Sequence, residues 1–289
     1  MTHKLDRRLK LVRGAVLLAG AVLAGAVASP PTTAAAGTAT AATTGAAPGF
    51  ADGCIGYCQH PTNAAKVFRW GVEEWRREFE DRTTSEVEGD WATEEPDLVE
   101  QREGMLTIHA TSATERVTVA ATDQSARYGR WEARVRAVEE STGDTPFAFV
   151  WELVPTDGID CDANRIVLAR YRPGDDRARG RVTTAPDQAF RYSRPLDLRS
   201  RAWHTYAVEV TPDHISWFVD TTVVRTERRT AALAGATFRP EFEILGRAGR
   251  LMNTSRMQMD WVRYYDLDRP NAQSIDAPRM RRVTSAPPC

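Results

Sequence analysis

The sequence predicts an all-β fold, an antiparallel sandwich with one short amino-terminal helix. Two observations carry this. From about residue 97 onward apolar residues recur with a period of two, in runs of strand length. Turn residues separate those runs at close intervals, and little helical pattern interrupts them. Many short strands of this kind bury their apolar faces by packing as two antiparallel sheets.

The amino terminus stands apart. Lys4, Arg7, Arg8, Lys10 and Arg13 precede the apolar run "GAVLLAGAVLAGAVA". The order of basic, apolar and small residues predicts a secretory signal peptide over 1–29, and hence an extracellular protein. An amino-terminal anchor is the alternative, but the run is short and Gly-rich for a membrane span. Residues 30–49, rich in Ala and Thr, cannot build a core and read as a disordered linker.

Residues 50–77 read as a helical, disulfide-bearing segment docked on the sandwich. The four cysteines, 54, 58, 161 and 289, allow three pairings, and thiols of an exported chain tend to pair. A local bridge between Cys54 and Cys58 is the first expectation. A zinc site built from Cys54, Cys58 and His60 lacks a fourth ligand. No metal and no cofactor are therefore expected. Across 63–79 the spacing of Val67, Trp70, Val72, Trp75 and Phe79 predicts an amphipathic helix.

The sandwich is expected over 78–268, with 269–289 as a carboxy-terminal tail. "LVEQREGMLTIHATS" reads as strand, turn at Glu103–Gly104, strand. "YGRWEARVRAVEE" alternates Trp131, Ala133, Val135 and Ala137 against Glu132, Arg134, Arg136 and Val138. "PFAFVWELVP" is a mostly apolar strand. Residues 203–210 and 214–219 form a hairpin about Thr211-Pro212-Asp213, with Pro at an early turn position. "FEILGRAG" and "MQMDWVRYYDL" complete the set. The net charge of −1 gives no global field toward nucleic acid or membrane, and a monomer is expected. Of eight tryptophans most must be core, and about two or three should line a cleft where their faces stack on sugars. One stretch is out of character: "NRIVLARY" (164–171) is apolar at its centre, yet carries Arg165 and Arg170 at its ends.

Six segments, in order, resemble glycoside hydrolase family 16, the laminarinase- and lichenase-like jelly rolls. They are "EFED" (78–81), "VEQREGMLTIHA" (99–110), "RYGRWEARVRA" (127–137), "PFAFVWELVP" (146–155), "WHTYAVEVTPDHISWFVD" (203–220) and "MQMDWVRYY" (257–265). Val210 stands where the family hairpin has Trp, and Thr221 where it has Gly. The resemblance implies a glycan cleft across a concave sheet and a catalytic strand "EIDIME". In that strand the first Glu attacks, the Asp sets protonation and the last Glu is acid and base. Retaining hydrolysis needs two carboxyl groups flanking the glycosidic bond. A bulge must bring both ends of that strand to one face.

"RIVLAR" falls on that strand, so Arg165, Val167 and Arg170 take the three carboxylate positions. Arginine stays protonated and can be neither nucleophile nor base. Fallback carboxylates are Glu152, Asp160 and Asp162. Arg165 and Arg170 either pair with nearby acids or grip an anionic glycan, for which a guanidinium fork is suited. Glycan contacts are expected from Arg165, Arg170, Trp131, Trp151 and His204. The expected partner is a polysaccharide, with an anionic one the sharper expectation. Non-hydrolytic binding leads. An active hydrolase with relocated carboxylates and a structural envelope protein with a vestigial cleft are the alternatives.

Overall fold

The computed structural model describes residues 63–79, 90–142, 144–156, 164–184, 188–233, 235–271 and 276–284. The expected signal peptide and linker, His60, Asp160, Asp162 and all four cysteines lie outside the described residues.

Among the described residues a helix, α1 (Ala64–Phe68), precedes sixteen strands. The first eight are β1 (Trp75–Glu78), β2 (Trp91–Ala92), β3 (Val99–Arg102), β4 (Met105–Ala110), β5 (Arg116–Ala121), β6 (Gly129–Glu139), β7 (Ala148–Pro155) and β8 (Ile166–Tyr171). The rest are β9 (Asp175–Thr184), β10 (Gln188–Leu198), β11 (His204–Val210), β12 (Ile215–Val219), β13 (Thr222–Glu227), β14 (Phe238–Leu245), β15 (Ser255–Tyr265) and β16 (Arg281–Thr284). The first sheet runs β13-β12-β11-β6-β15-β4-β3, with β1 added along β15. The second runs β16-β10-β9-β8-β7-β14-β5-β2. This is the predicted antiparallel sandwich.

The core lies between the sheets, where the period-two pattern puts it. Trp131, Ala133, Val135 and Ala137 of β6 meet Phe149, Trp151 and Leu153 of β7 there. Glu103 and Gly104 take positive φ of 54° and 73°, which gives the two-residue hairpin turn read from the sequence.

The helix is shorter than its spacing predicted. It ends at Arg69, which takes a left-handed φ of 55°, and Gly71 follows at 106°. The chain is then captured as β1, with Trp75 opposite Tyr264 and Glu78 opposite Trp261. Backbone pairing to β15 thus overrides the helical spacing of Trp75 and Phe79. Trp70 packs edge-on against Phe218 and Tyr265 on the outer face of the first sheet. Buried Glu132 accepts the Ala64 and Ala65 N–H groups at 2.7 and 3.2 Å. These donors at the helix start would otherwise lack partners.

The tail also contributes structure that its sequence did not announce. Strand β16 extends the second sheet by pairing with β10. The Thr226 N–H donates to the Pro278 carbonyl, and Arg229 donates to that of Met280, a buried side chain. The segment is therefore bonded to both sheets.

Candidate functional site

The site is built on a bulge in β8. Glu152 pairs with Val167, but its neighbour Trp151 pairs with Ala169, so Leu168 is an extra residue. Leu168 and Ala169 both enter the core, with Ile166 before them and Tyr171 after. Val167 and Arg170 are thereby turned to the outer face of the second sheet. Arg165 reaches the same face, where it meets Glu152 and Glu241. A bulge disrupts the ladder and strands carbonyls. Core side chains satisfy them here: Tyr192 Oη donates to the Leu168 carbonyl at 2.9 Å, and Trp217 Nε1 to that of Val167 at 3.1 Å. Gly180 makes room for this, since a Cβ there would lie 2.0 Å from the Tyr192 ring.

One part of this face holds glutamates. Glu152 on β7 and Glu241 on β14 are directly opposed in register. Both accept from one nitrogen of Arg165, at 2.7 and 3.3 Å. Glu243, two residues along β14, pairs with Arg116. Burial pushes the Glu152 carboxyl up to about 7; Arg165 opposes that rise, and Glu243 and Glu241 add to it. Burial likewise raises Glu241 and Glu243, against the pull of Arg165 and Arg116 respectively. The sequence reading named only Glu152 of these three. Glu241 and Glu243 alternate with Phe242 and Ile244 in "EFEIL", a pattern that places them on the face away from the core.

The other part is a cavity of about 580 Å³ over β8, β9, β10 and β16. Val167 and Arg170 form its β8 wall, next to Arg179 and Arg181 of β9 and Arg191 of β10. Arg225, Arg279 and Arg281 line it too, so seven arginines and no carboxylate surround it among the described residues. Among the described residues Tyr192 is the one aromatic that lines it, and no tryptophan does.

The remaining expected contacts fall elsewhere. Trp131 and Trp151 are both 0% exposed, with their rings between the sheets. Neither can offer a face to a sugar, because the alternation that fixes their strands turns them inward. His204 lies on β11 of the first sheet and bonds to Asp220 and to the Asp197 carbonyl. Burial disfavours its charged form, but these two acceptors outweigh that and raise its pKa. It is a cross-link within the scaffold. Trp203 carries Arg134 and Arg136 stacked over its ring, likewise on the first sheet. No group of three or more His, Cys, Asp or Glu among the described residues could hold a metal ion.

The model of the glycosyl hydrolases family 16 matches residues 85–263. The chain belongs to glycosyl hydrolase family 16. No curated protein matches it by sequence. Among solved structures it is similar to the laminarinase from Rhodothermus marinus, at 17% identity and a TM-score of 0.55, over 67% of this chain and 96% of that one. It is also similar to the laminarinase from Flavobacterium sp. UMI-01, at 16% identity and a TM-score of 0.54, over 68% and 100%. A LamA variant from Zobellia galactanivorans, solved with laminaritriose and laminaritetraose, aligns at 14% identity and a TM-score of 0.54, over 68% and 99%. At such identities the family 16 likeness is one of fold. Strand β16 lies beyond the residues that the family model matches.

Proposed function

We propose that this family 16 chain is an exported, non-hydrolytic protein that binds an extracellular polysaccharide, anionic in character, on the outer face of its second sheet. One observation carries the reading. Arg165, Val167 and Arg170 share that face, and the sequence resemblance sets the two glutamates and the aspartate of the catalytic strand at those positions. Hydrolysis with retention requires a nucleophile and a proton donor across the scissile bond. Guanidinium and isopropyl groups can supply neither.

The two arginines play different parts. Arg165 is mostly buried between Glu152 and Glu241 and serves the scaffold, as a vestigial cleft would have it. Arg170 is exposed and opens onto the cavity, which a purely structural account leaves unexplained. The scarcity of aromatic rings in the cavity favours recognition by charge over stacking. A fold relative that holds laminarin oligosaccharides supports a saccharide ligand. The basic, apolar and small-residue order of 1–29 supports export.

A second reading has an observation of its own. Glu152, raised to about 7, is poised as a proton donor, and Glu241 faces it across the sheet. Against this, both carboxylates are buried and the Arg165 guanidinium fills the gap between them. Reducing-end release from β-glucans and galactans, measured beside affinity electrophoresis in the same polymers and in acidic ones, separates the readings. Binding without turnover is expected. Turnover that is abolished by Glu152→Gln would overturn the proposal.

A further inference from the structure

We infer, resting on the reading of this face as a polysaccharide site, that the segment 276–284 builds an added subsite at the β10 end of the cavity, with Arg279 and Arg281 as its sugar-binding residues. Both lie beyond residue 263, where the family match ends. Strand register sets the place. Arg181 of β9 stands directly opposite Arg191 of β10, and Arg191 directly opposite Arg281 of β16. Arg281 therefore continues across β16 the face that Val167 and Arg170 begin on β8. Arg281 and Val283, two residues apart on one strand face, both line the cavity. Each strand added to a sheet lengthens its floor by about 4.8 Å, roughly the advance of one pyranose in an extended chain.

A strand that only covers a sheet edge needs no more than backbone pairing. This segment is braced further. The Pro278 carbonyl accepts the Thr226 N–H of β13 at 3.2 Å, and Met280 buries its side chain in the core. Arg279, between these two anchors, is left exposed and lines the cavity together with Arg225 of β13. Arg229 fastens the same stretch. Its guanidinium donates to the Met280 carbonyl at 2.6 Å, pairs with buried Glu227 and lies 4.4 Å from the ring centroid of Phe190 on β10. Arg279 and Arg281 are thus presented by a fixed backbone, which lowers the ordering cost of binding. Guanidinium forks suit the carboxylates or ester oxyanions of an anionic chain. A chain that lies across the strands over β8 and β9 meets these two arginines with its sugars beyond β10.

The test measures dissociation constants for two length series of oligosaccharides, one cut from polygalacturonate and one from a sulfated galactan. In the series that the parent binds more tightly, affinity should rise with length to a plateau. Arg279→Ala/Arg281→Ala should reach its plateau at least one sugar earlier. It should bind the longest members at least tenfold more weakly and the shortest bound members within twofold of the parent. Arg76→Ala/Arg102→Ala removes two exposed arginines from the first sheet and should leave every length within twofold. Equal weakening of the Arg279/Arg281 variant at all lengths would overturn the inference, because it would mark a general loss of positive charge. No weakening at any length would overturn it too, and polysaccharide binding would stand in both cases. A parent that binds neither series would remove the inference together with the reading beneath it.

Discussion

Replacing Arg165 by alanine should destabilise the protein in a strongly pH-dependent way. Its guanidinium is the shared partner of Glu152 and Glu241, whose side chains are only 4% and 8% exposed. Removing one partner of a buried ion pair costs about 3–5 kcal/mol, because the other charge stays behind without compensation. Arg165 keeps 18% of its side-chain exposure, and Glu152 can escape by taking up a proton near pH 7. The lower end applies, about 3 kcal/mol at a pH near 8.5. Near pH 5 Glu152 is largely neutral and less charge is left to compensate. The loss should then fall to about 1 kcal/mol, the worth of an ordinary hydrogen bond. Urea unfolding of both proteins at the two pH values measures this. A loss of equal size at both, or no loss at either, would refute the account of Arg165 as counter-charge.

Two further outcomes follow from the same face. Glu152 has a folded-state pKa above its unfolded value, so its stabilising contribution is present below about pH 4.5 and is lost as the pH rises through about 7. Glu152→Gln should flatten the fall in stability over that window, gaining about 2 kcal/mol on the parent between its ends, and parallel curves would contradict this. Tyr192→Phe leaves the buried Leu168 carbonyl of the bulge without its donor and should cost about 1–3 kcal/mol in chemical denaturation, whereas an unchanged midpoint would mean that the bulge does not depend on that bond.

The fold was legible because its strands are half-buried and alternate, so inward residues such as Trp131, Ala133 and Val135 declare their period locally. The helix at 63–79 was overread because its apolar spacing is real, but pairing of Trp75–Glu78 with β15 is a distant event that no local window contains. The shared face of Arg165, Val167 and Arg170 could be expected only through the family resemblance, since the bulge that creates it breaks the alternation. Trp131 and Trp151 were misplaced as sugar contacts although their own alternation already pointed them inward. The arginine array was missed for a different reason. Arg181, Arg191 and Arg281 look like isolated solvated charges along the chain, and only cross-strand register brings them abreast. The alternating arginines of "RARGR" (177–181) were the local sign that one face of that strand is cationic.

This family 16 fold is proposed to hold an anionic polysaccharide without cutting it. Size-exclusion chromatography with light scattering, on the protein after prolonged incubation with the tightest-binding anionic polymer, reads both halves at once. Protein should co-elute with polymer of undiminished molar mass. A falling polymer mass, or protein that elutes alone, would contradict it.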